Sequence, residues 1–419
     1  MTAAVAAATP SGLAPDKQSR ATSVLIGLLA LALFINALDR GNFSTAAPLI
    51  KDALALSNSQ LGLLFSAFFM TYVPGHALSG WLADRLDPYR TLALGLGLWS
   101  LATLLTGFAA SFTVLLVLRL LLGLGESTFF PSSSKLLALH SPPHKLASAN
   151  AWIATGLMLG NGAGVLVGGL LIAQFGWHAL FFVFGGLSLL WLVPWLTMTR
   201  PEPMASAAPT ATGPIPSYGQ LLSNRQLWGA AIAHFCGNYP YFIVLSWLPT
   251  YLVKQQGFSI TAMAMLGGAV YLLSAVFSLI GGTVADRMVA AGRSVSRVRL
   301  NTMVASNSLG LLCMLACATG SPQAAVAALL AFSLSNGLGA FGTFAIGQTL
   351  AGPRAAGRWV GFQNGFGGLA GVVGPWLTGR LIDATGDYRV AFLIAALSSG
   401  LGVVSWTMVV RKVEPIAWV

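Results

Sequence analysis

The chain is built from long apolar runs separated by short polar gaps. The first run, ATSVLIGLLALALFINAL, covers residues 21–38, and similar runs follow to the end of the chain. A helix needs about 20 mostly apolar residues to cross a bilayer, so the pattern predicts an all-α integral membrane protein. The twelve predicted spans are 22–46, 59–82, 90–109, 112–137, 147–173, 177–197, 227–253, 259–284, 299–318, 323–351, 358–381 and 388–410.

Composition supports lipid as the solvent. The chain is 56% hydrophobic and only 8% charged, with a mean hydropathy of +0.76, whereas soluble domains carry about 25% charged residues. The net charge of +11 does not indicate nucleic-acid binding, because Lys and Arg lie in the gaps without interleaved aromatic residues. The three cysteines lie in apolar runs and form neither a disulfide framework nor a zinc ligand set. We expect no metal and no cofactor.

The gaps suggest a division into domains and a topology. Residues 1–21 are rich in Ala, Ser and Pro and are predicted to be a disordered cytoplasmic segment, while 198–226 have linker composition. Six spans precede this linker (22–197) and six follow it (227–410). Lys and Arg concentrate at the termini, including 411–419, and in the even-numbered gaps. The positive-inside rule then places both termini in the cytoplasm, and we expect a multi-pass protein of the bacterial inner membrane.

The two halves of the chain repeat each other. GWLADR at residues 80–85 follows the second span, and GTVADR at 282–287 follows the eighth. Paired six-helix halves around a cavity are typical of transporters, and the loop, the helix count and the central linker together resemble the major facilitator superfamily. The resemblance implies two pseudo-symmetric bundles and a gating loop formed by Gly80, Asp84, Arg85, Asp286 and Arg287. Alternatively, these charges only fix the topology.

Longer stretches are similar to a narrower group, the anion:cation symporter family. They include DRGNFSTAAPLI, LGLLFSAFFMTYVPGHALSGWLADR, LRLLLGLGESTFF and HFCGNYPYFIVLSWLPTYLV, each on the corresponding span. The family contains bacterial galactonate, hexuronate and phthalate carriers, and the last stretch is closest to the sialin and vesicular glutamate transporter branch. The resemblance implies a carrier of organic anions, without naming the anion.

Charged residues within spans are rare because each is costly, so they indicate function. Asp39 and Arg40 are adjacent, and their side chains diverge by about 100° on a helix. An arginine suits a carboxylate because its planar fork pairs with both oxygens. The resemblance implies that Arg40 binds the substrate carboxylate and that Asp39 takes part in proton coupling. The alternative is a charge pair at the interface that reaches water.

Arg119 and Glu126 form the second charged pair. They lie seven residues apart, about 10 Å along one helical face. A buried carboxylate that gains and loses an arginine neighbour is suited to carry a proton. The resemblance assigns this coupling role to Glu126, with Arg119 tuning it. The alternative is a static ion pair that holds the fourth helix to its neighbours.

The second half offers mainly neutral polar groups within its spans. Asn364 and, in the first half, Tyr72 match substrate-binding residues of the galactonate carriers. Tyr239, Tyr241 and Gln363 are further substrate-binding candidates, and all of these side chains could equally join helices by hydrogen bonds. A lone His234 is read as structural.

Two positions depart from the family pattern. Leu157 stands where galactonate carriers have a glutamine that helps to bind substrate, and Gly237 stands where the vesicular glutamate branch has an arginine. Neither galactonate nor glutamate can therefore be assumed as substrate, and either an apolar carboxylate or a differently held sugar acid fits.

We therefore expect a monomeric, proton-coupled symporter that imports an organic anion, such as a sugar acid or another carboxylate, by alternating access. Its partners would be the anion, protons and the lipid bilayer. An anion exchanger or facilitator without proton coupling is the alternative, and a sensor without transport is a further one. An enzyme is disfavoured because His234 and Cys236, two residues apart, point to opposite sides of a helix and form no dyad.

Overall fold

The computed structural model describes residues 15–85, 87–140, 146–199, 216–319 and 322–418. Within these ranges the chain is helical between short connections. The helices are α1 Pro15–Ala53, α2 Asn58–Arg85, α3 Pro88–Thr106, α4 Phe112–Glu126, α5 Phe129–His140, α6 Leu146–Met198, α7 Tyr218–Leu222, α8 Arg225–Thr250, α9 Ile260–Ala290, α10 Val295–Thr319, α11 Pro322–Thr385 and α12 Arg389–Val404. Short π-helical segments extend α8 to Gln255 and α12 to Val410.

Two of these helices are each a pair joined at a glycine. Gly176 (φ 78°) divides α6, and Gly352 (φ 67°) divides α11; glycine adopts such positive φ values without a Cβ clash. Taken this way, with α4 and α5 as one interrupted helix, the described ranges contain the twelve predicted spans. Seven helical segments there are long and apolar enough to cross a membrane by length and composition alone. The fold-class prediction is confirmed.

Some boundaries differ from those predicted. Helix α1 already begins at Pro15, so residues 15–21 are helical where disorder was predicted, and residues 1–14 lie outside the described ranges. The predicted linker lies outside them between 200 and 215, and α7 forms within its last part. A capping box at Ser217 and Gln220 explains this short helix, because each side chain accepts a hydrogen bond from the other residue's backbone N–H.

Glycines bring helices together both within and between the halves. A Cβ on Gly164 of α6 would lie 2.9 Å from the Leu38 carbonyl oxygen of α1, and one on Gly162 would lie 2.7 Å from the Leu272 side chain of α9. Small residues of this kind permit close helix approach in membranes. Helix α6 thus packs against α1 of its own half through one face and against α9 of the second half through another.

Contacts between the two halves gather at one end, which we call the closed end. It lies where α1 ends, α2 begins and α11 ends, away from residue 15 and residue 418. Here Lys254 pairs with Asp52, Phe65 packs edge-on against Trp247 with centroids 5.4 Å apart, and α2 approaches α11 at Gly62. Among the described residues, these and neighbouring contacts hold the two halves together at the closed end.

The gating-loop residues are described only in part. The side chains of Gly80, Asp84 and Arg85 lie outside the described part of the structure. Asp286 and Arg287 are exposed near the end of α9, opposite the closed end. The gating role of this loop stays a prediction.

Candidate functional site

Helix α1 carries Asp39 and Arg40 in its middle rather than at its end, because the helix continues through Pro48 to Ala53. The two side chains point different ways, as their adjacent positions require. Asp39 is 2% exposed, whereas the Arg40 side chain is 17% exposed. Arg40 is therefore the one of the two that can meet a solute.

Arg40 joins three helices of the first half. Its Nε donates to Glu126 Oε2 at 2.9 Å, and its Nη2 donates to the Tyr72 hydroxyl at 2.6 Å. The guanidinium carbon also lies 4.6 Å from the centroid of the Tyr72 ring. The structure thus brings together three predicted site residues from α1, α2 and α4. The remaining N–H donors of Arg40 are available to an anion.

Glu126 and Arg119 form no direct contact in the described residues, although each still interacts electrostatically with the other. Glu126 is fully buried and bonds to Arg40 through one oxygen, while its other oxygen, Oε1, has no partner in the described residues. Arg119 instead donates its Nε to the Leu64 carbonyl oxygen at 3.2 Å. The ion-pair partner of Glu126 is therefore Arg40 on α1 and not Arg119 on its own helix.

Arg119 is enclosed by aromatic rings. Its guanidinium carbon lies 4.6 Å from the ring centroid of Phe43 and 5.2 Å from that of Phe68. The residue is 6% exposed. Among the described residues it forms no ion pair. Its direct contacts are the faces of aromatic rings and one backbone carbonyl oxygen.

Asp39 lies in a cluster of neutral polar groups. It accepts a hydrogen bond from Asn42 Nδ2 at 3.1 Å and lies 3.4 Å from the Ser188 hydroxyl. Asn36 lies one turn away on the same helix, and its side chain is near enough to the Glu126 carboxylate to interact with it. Asp39 is therefore a second buried carboxylate and, unlike Glu126, it forms no ion pair among the described residues.

A narrow cleft extends from Arg40 toward the closed end, and Arg119 lines it as well. We call it the two-arginine cleft. Its lining residues are Arg40, Ser44, Phe65, Phe68, Phe69, Arg119, Leu245 and Ser246. The last two lie on α8, so both halves of the chain contribute.

The candidates of the second half are placed differently from one another. Tyr241 lies near enough to Arg40 and Tyr72 to interact with them electrostatically, and Asn364 is exposed. Tyr239 is buried, and its hydroxyl has no partner within the described residues. The structure therefore brings Tyr241, but not Tyr239, close to the arginine.

Gln363 is fully buried in the second half. Its Oε1 accepts a hydrogen bond from Trp359 Nε1 at 3.0 Å, and its Nε2 donates to the Thr343 carbonyl oxygen at 3.4 Å. The Gln363 carbonyl oxygen lies 3.2 Å from His234 Nδ1. These contacts use its amide within the bundle, so this conformation does not present the side chain to a solute.

Sequence reasoning did not single out several residues of the site. Ser44 and Ser246 are ordinary serines in apolar helices and carry no recognisable signal. His76 follows Tyr72 by one turn, and its Nδ1 lies 2.8 Å from the Tyr72 carbonyl oxygen. The four-residue spacing from Phe68 to Tyr72 to His76 could have indicated a shared face.

The two departures from the family pattern also have structural settings. Leu157 is half-buried and packs against the apolar core of the molecule. At Gly237 an added Cβ would lie 3.6 Å from Asn307 Oδ1. An apolar side chain thus occupies the position at which a glutamine would have supplied hydrogen bonds.

The sequence and fold match known transporters. Residues 29–358 match the Major Facilitator Superfamily profile. The chain is 29% identical over 400 residues to a probable sulfoacetate transporter of Cupriavidus necator, covering 90% of this chain and 91% of the relative. It is 31% identical over 406 residues to the hexuronate transporter of Bacillus subtilis, covering 94% of each.

The fold is also similar to that of solved structures. A bacterial homologue of the human lysosomal transporter Spinster superposes with a TM-score of 0.80 at 18% identity, covering 95% of this chain and 98% of that one. The nucleoside transporter NupG superposes with a TM-score of 0.75 at 14% identity, covering 91% and 99%.

Proposed function

The chain belongs to the major facilitator superfamily and is a multi-pass membrane transporter of organic anions rather than an enzyme, and we propose that it is a proton-coupled symporter. The proposed substrate is a small carboxylate or sugar acid that is imported by alternating access. The relatives named for sulfoacetate and hexuronate support an organic anion of modest size.

The observation that carries this proposal is the position of Arg40. It is a membrane-embedded arginine whose guanidinium keeps unused donors beside Tyr72 and is partly accessible. A guanidinium retains its charge and binds a carboxylate through two parallel hydrogen bonds. We propose that Arg40 and Tyr72 bind the carboxylate, with Tyr241 and Asn364 contributing from the second half.

Glu126 supplies the link to protons in this proposal. It occupies the Nε donor of Arg40, so the carboxylate of Glu126 and that of the substrate compete for one cation. A proton on Glu126 removes its charge and releases Arg40 to the substrate. Asp39, which lies without a cation partner in the described residues, is the second proposed proton site, and Arg119 lends positive potential to both acids.

In this proposal, the topology and the closed end assign a side of the membrane to the conformation of the structure. The distribution of Lys and Arg supports cytoplasmic termini, and the closed end would then face the periplasm. This conformation would then be the one that releases an imported anion to the cytoplasm. A bacterial inner membrane is the proposed location.

Glu126→Gln tests the coupling. Glutamine imitates the protonated carboxyl but cannot release a proton. The purified variant, reconstituted into liposomes with sulfoacetate and glucuronate as probes, should retain counterflow, the exchange of external for internal anion. Its uptake driven by an imposed pH gradient should be lost. Glu414→Gln, a change at an exposed acid of the same type, is the matched control and should retain both activities.

Three outcomes would contradict the proposal. Parallel loss of counterflow and uptake, with a lower unfolding temperature, would make Glu126 a structural partner of Arg40. Unchanged gradient-driven uptake in the variant would remove Glu126 from coupling. Counterflow without any gradient-driven uptake in the unmodified protein would identify an exchanger.

A further inference from the structure

Arg119 presents a charge that the structure does not neutralise by contact. It is nearly buried, and its Nε is bonded to a backbone carbonyl oxygen. Its two terminal nitrogens have no acceptor among the described residues, and no carboxylate there forms an ion pair with it. Removing a cation from water is costly unless an opposite charge and hydrogen bonds replace the water. Glu126 and Asp39 act on this charge without contacting it, so an anion at the terminal nitrogens would supply the contact that water has lost.

The two-arginine cleft is where such a partner can lie. Arg119 lines it together with Arg40, and the two guanidinium carbons lie 5.2 Å and 5.6 Å from the centroid of the same Phe68 ring. The two guanidinium groups repel each other, and among the described residues only Arg40 has an ion-pair partner, Glu126. An anion between them removes this repulsion and gains from both charges.

Hydroxyl groups from α1 and α8 complete the polar part of the lining. Ser246 is buried on α8 and has no hydrogen-bond partner in the described ranges, so its hydroxyl can donate to an anion. Ser44 lies across the cleft on α1, with its own proton on the Gly41 carbonyl oxygen. The lining thus contains donors from both halves and no carboxylate.

The cleft is continuous with the Arg40 site, since Arg40 lines the cleft and also bonds Tyr72. The Arg40 site and the cleft therefore share one guanidinium group. We propose that the two-arginine cleft is a second anion subsite, and that the substrate is a small dianion with one acidic group on Arg40 and the other on Arg119. The proposal rests on the transport function proposed above and specifies its substrate class.

Binding of matched acids to the purified full-length protein tests this inference. The probes are malonate and sulfoacetate as dianions and acetate and propionate as monoanions, with affinities obtained from the rise in unfolding temperature with concentration. A second charge-assisted hydrogen-bonded contact should make dianions bind about tenfold more tightly or better. Arg119→Gln should reduce this preference to about threefold or less.

Two further variants keep the test independent of folding. Ser246→Ala removes only a hydroxyl and should weaken the binding of the dianions more than that of the monoanions. Arg380→Gln removes an exposed arginine that lies over Trp376 on α11, and it should leave the preference unchanged. If Arg119→Gln does not fold, the preference for dianions in Ser246→Ala, compared with that in Arg380→Gln, decides whether the second subsite exists.

The remaining outcomes overturn the proposal in distinguishable ways. Equal affinity of the unmodified protein for monoanions and dianions would refute the second subsite while leaving the organic-anion function intact. If Arg119→Gln weakened the binding of monoanions and dianions equally, Arg119 would act indirectly, through Glu126 or by stabilising the fold. Stabilisation by chloride that no dianion displaces would identify a site for a monoatomic ion. Absence of binding by any acid would refute the proposed function itself.

Discussion

Asp383, at the end of α11, caps the first turn of α2 from the other half of the molecule. Its Oδ2 accepts a hydrogen bond from the Ser59 backbone N–H at 2.7 Å, and its Oδ1 accepts one from the Asn58 backbone N–H at 3.0 Å. Backbone N–H groups at a helix start lack helical partners and carry partial positive charge. A capping contact that is usually local therefore joins the two halves, which would have to separate at this end in the proposed alternating access.

Asp383→Asn should weaken the closed end, because asparagine has no charge and one acceptor oxygen instead of two. Spin labels at the exposed positions Ala53 and Ala262 should show a larger share of long distances than in the parent. Asp387→Asn is the control, since Asp387 caps Arg389 within its own half. An identical distance distribution in the Asp383 variant would show that the cap does not hold the halves together.

The same contact should depend on pH. Slight burial raises the pKa of the Asp383 carboxyl, but the hydrogen bonds from Ser59 and Asn58 lower it by more. The pKa therefore lies below its usual value. A lowered pKa means that the contact is complete above the ordinary carboxyl value of about 3.9 and is lost as the pH falls through the lowered one. The spin-label distances should therefore lengthen only in strong acid. Lengthening between pH 8 and pH 6 would implicate another group.

Lys254→Ala should have a small effect compared with Asp383→Asn. Its ion pair with Asp52 also crosses the closed end, but both side chains are well exposed. Exposed pairs contribute at most about 1 kcal/mol and are screened by salt. The variant should resemble the parent in the spin-label assay at about 0.15 M salt. A shift as large as that of Asp383→Asn would mean that the pair is the main lock.

Gly62→Ala should also disfavour the closed end. A Cβ at this position would lie 2.5 Å from the Pro375 carbonyl oxygen, so α2 and α11 would have to move apart. The distance between labels at Ala53 and Ala262 should increase, while the unfolding temperature changes little if the opposite state accepts the methyl group. Gly27→Ala, where nothing lies within 4 Å, should leave the distances unchanged. An unmoved distance in the Gly62 variant would show that the helices adjust locally.

Gln363 and Asn364 are neighbours for which opposite results are expected. Gln363→Ala removes a buried acceptor from Trp359 and should lower stability by about 1–3 kcal/mol, without selective loss of substrate affinity. Asn364→Ala should reduce affinity for the organic anion at nearly unchanged unfolding temperature, because its side chain is exposed. Thermal unfolding with and without substrate separates the two effects. A selective loss of affinity in the Gln363 variant would show that Gln363 contributes to substrate binding.

The hydrophobic pattern determined the helix count, and the reason is physical. Lipid cannot satisfy backbone hydrogen bonds, so each apolar run of sufficient length must become a helix. For the same reason the cost of intramembrane charge was enough to mark Asp39, Arg40, Arg119 and Glu126. The breaks at Gly176 and Gly352 were anticipated as gaps between predicted spans.

Partnership between those charges was decided by the tertiary structure alone. Spacing along α4 predicted that Arg119 and Glu126 influence each other on one face, which their electrostatic interaction allows. Only the tertiary structure shows that Arg40 of α1 is the ion-pair partner of Glu126 and that Arg119 lines a cleft. The roles of Asp383 and Ser246 likewise depend on surfaces that come from opposite halves of the chain. Helical periodicity fixes which residues share a face, whereas the partner across that face is set by how whole helices pack, and a single sequence does not encode that in any local pattern.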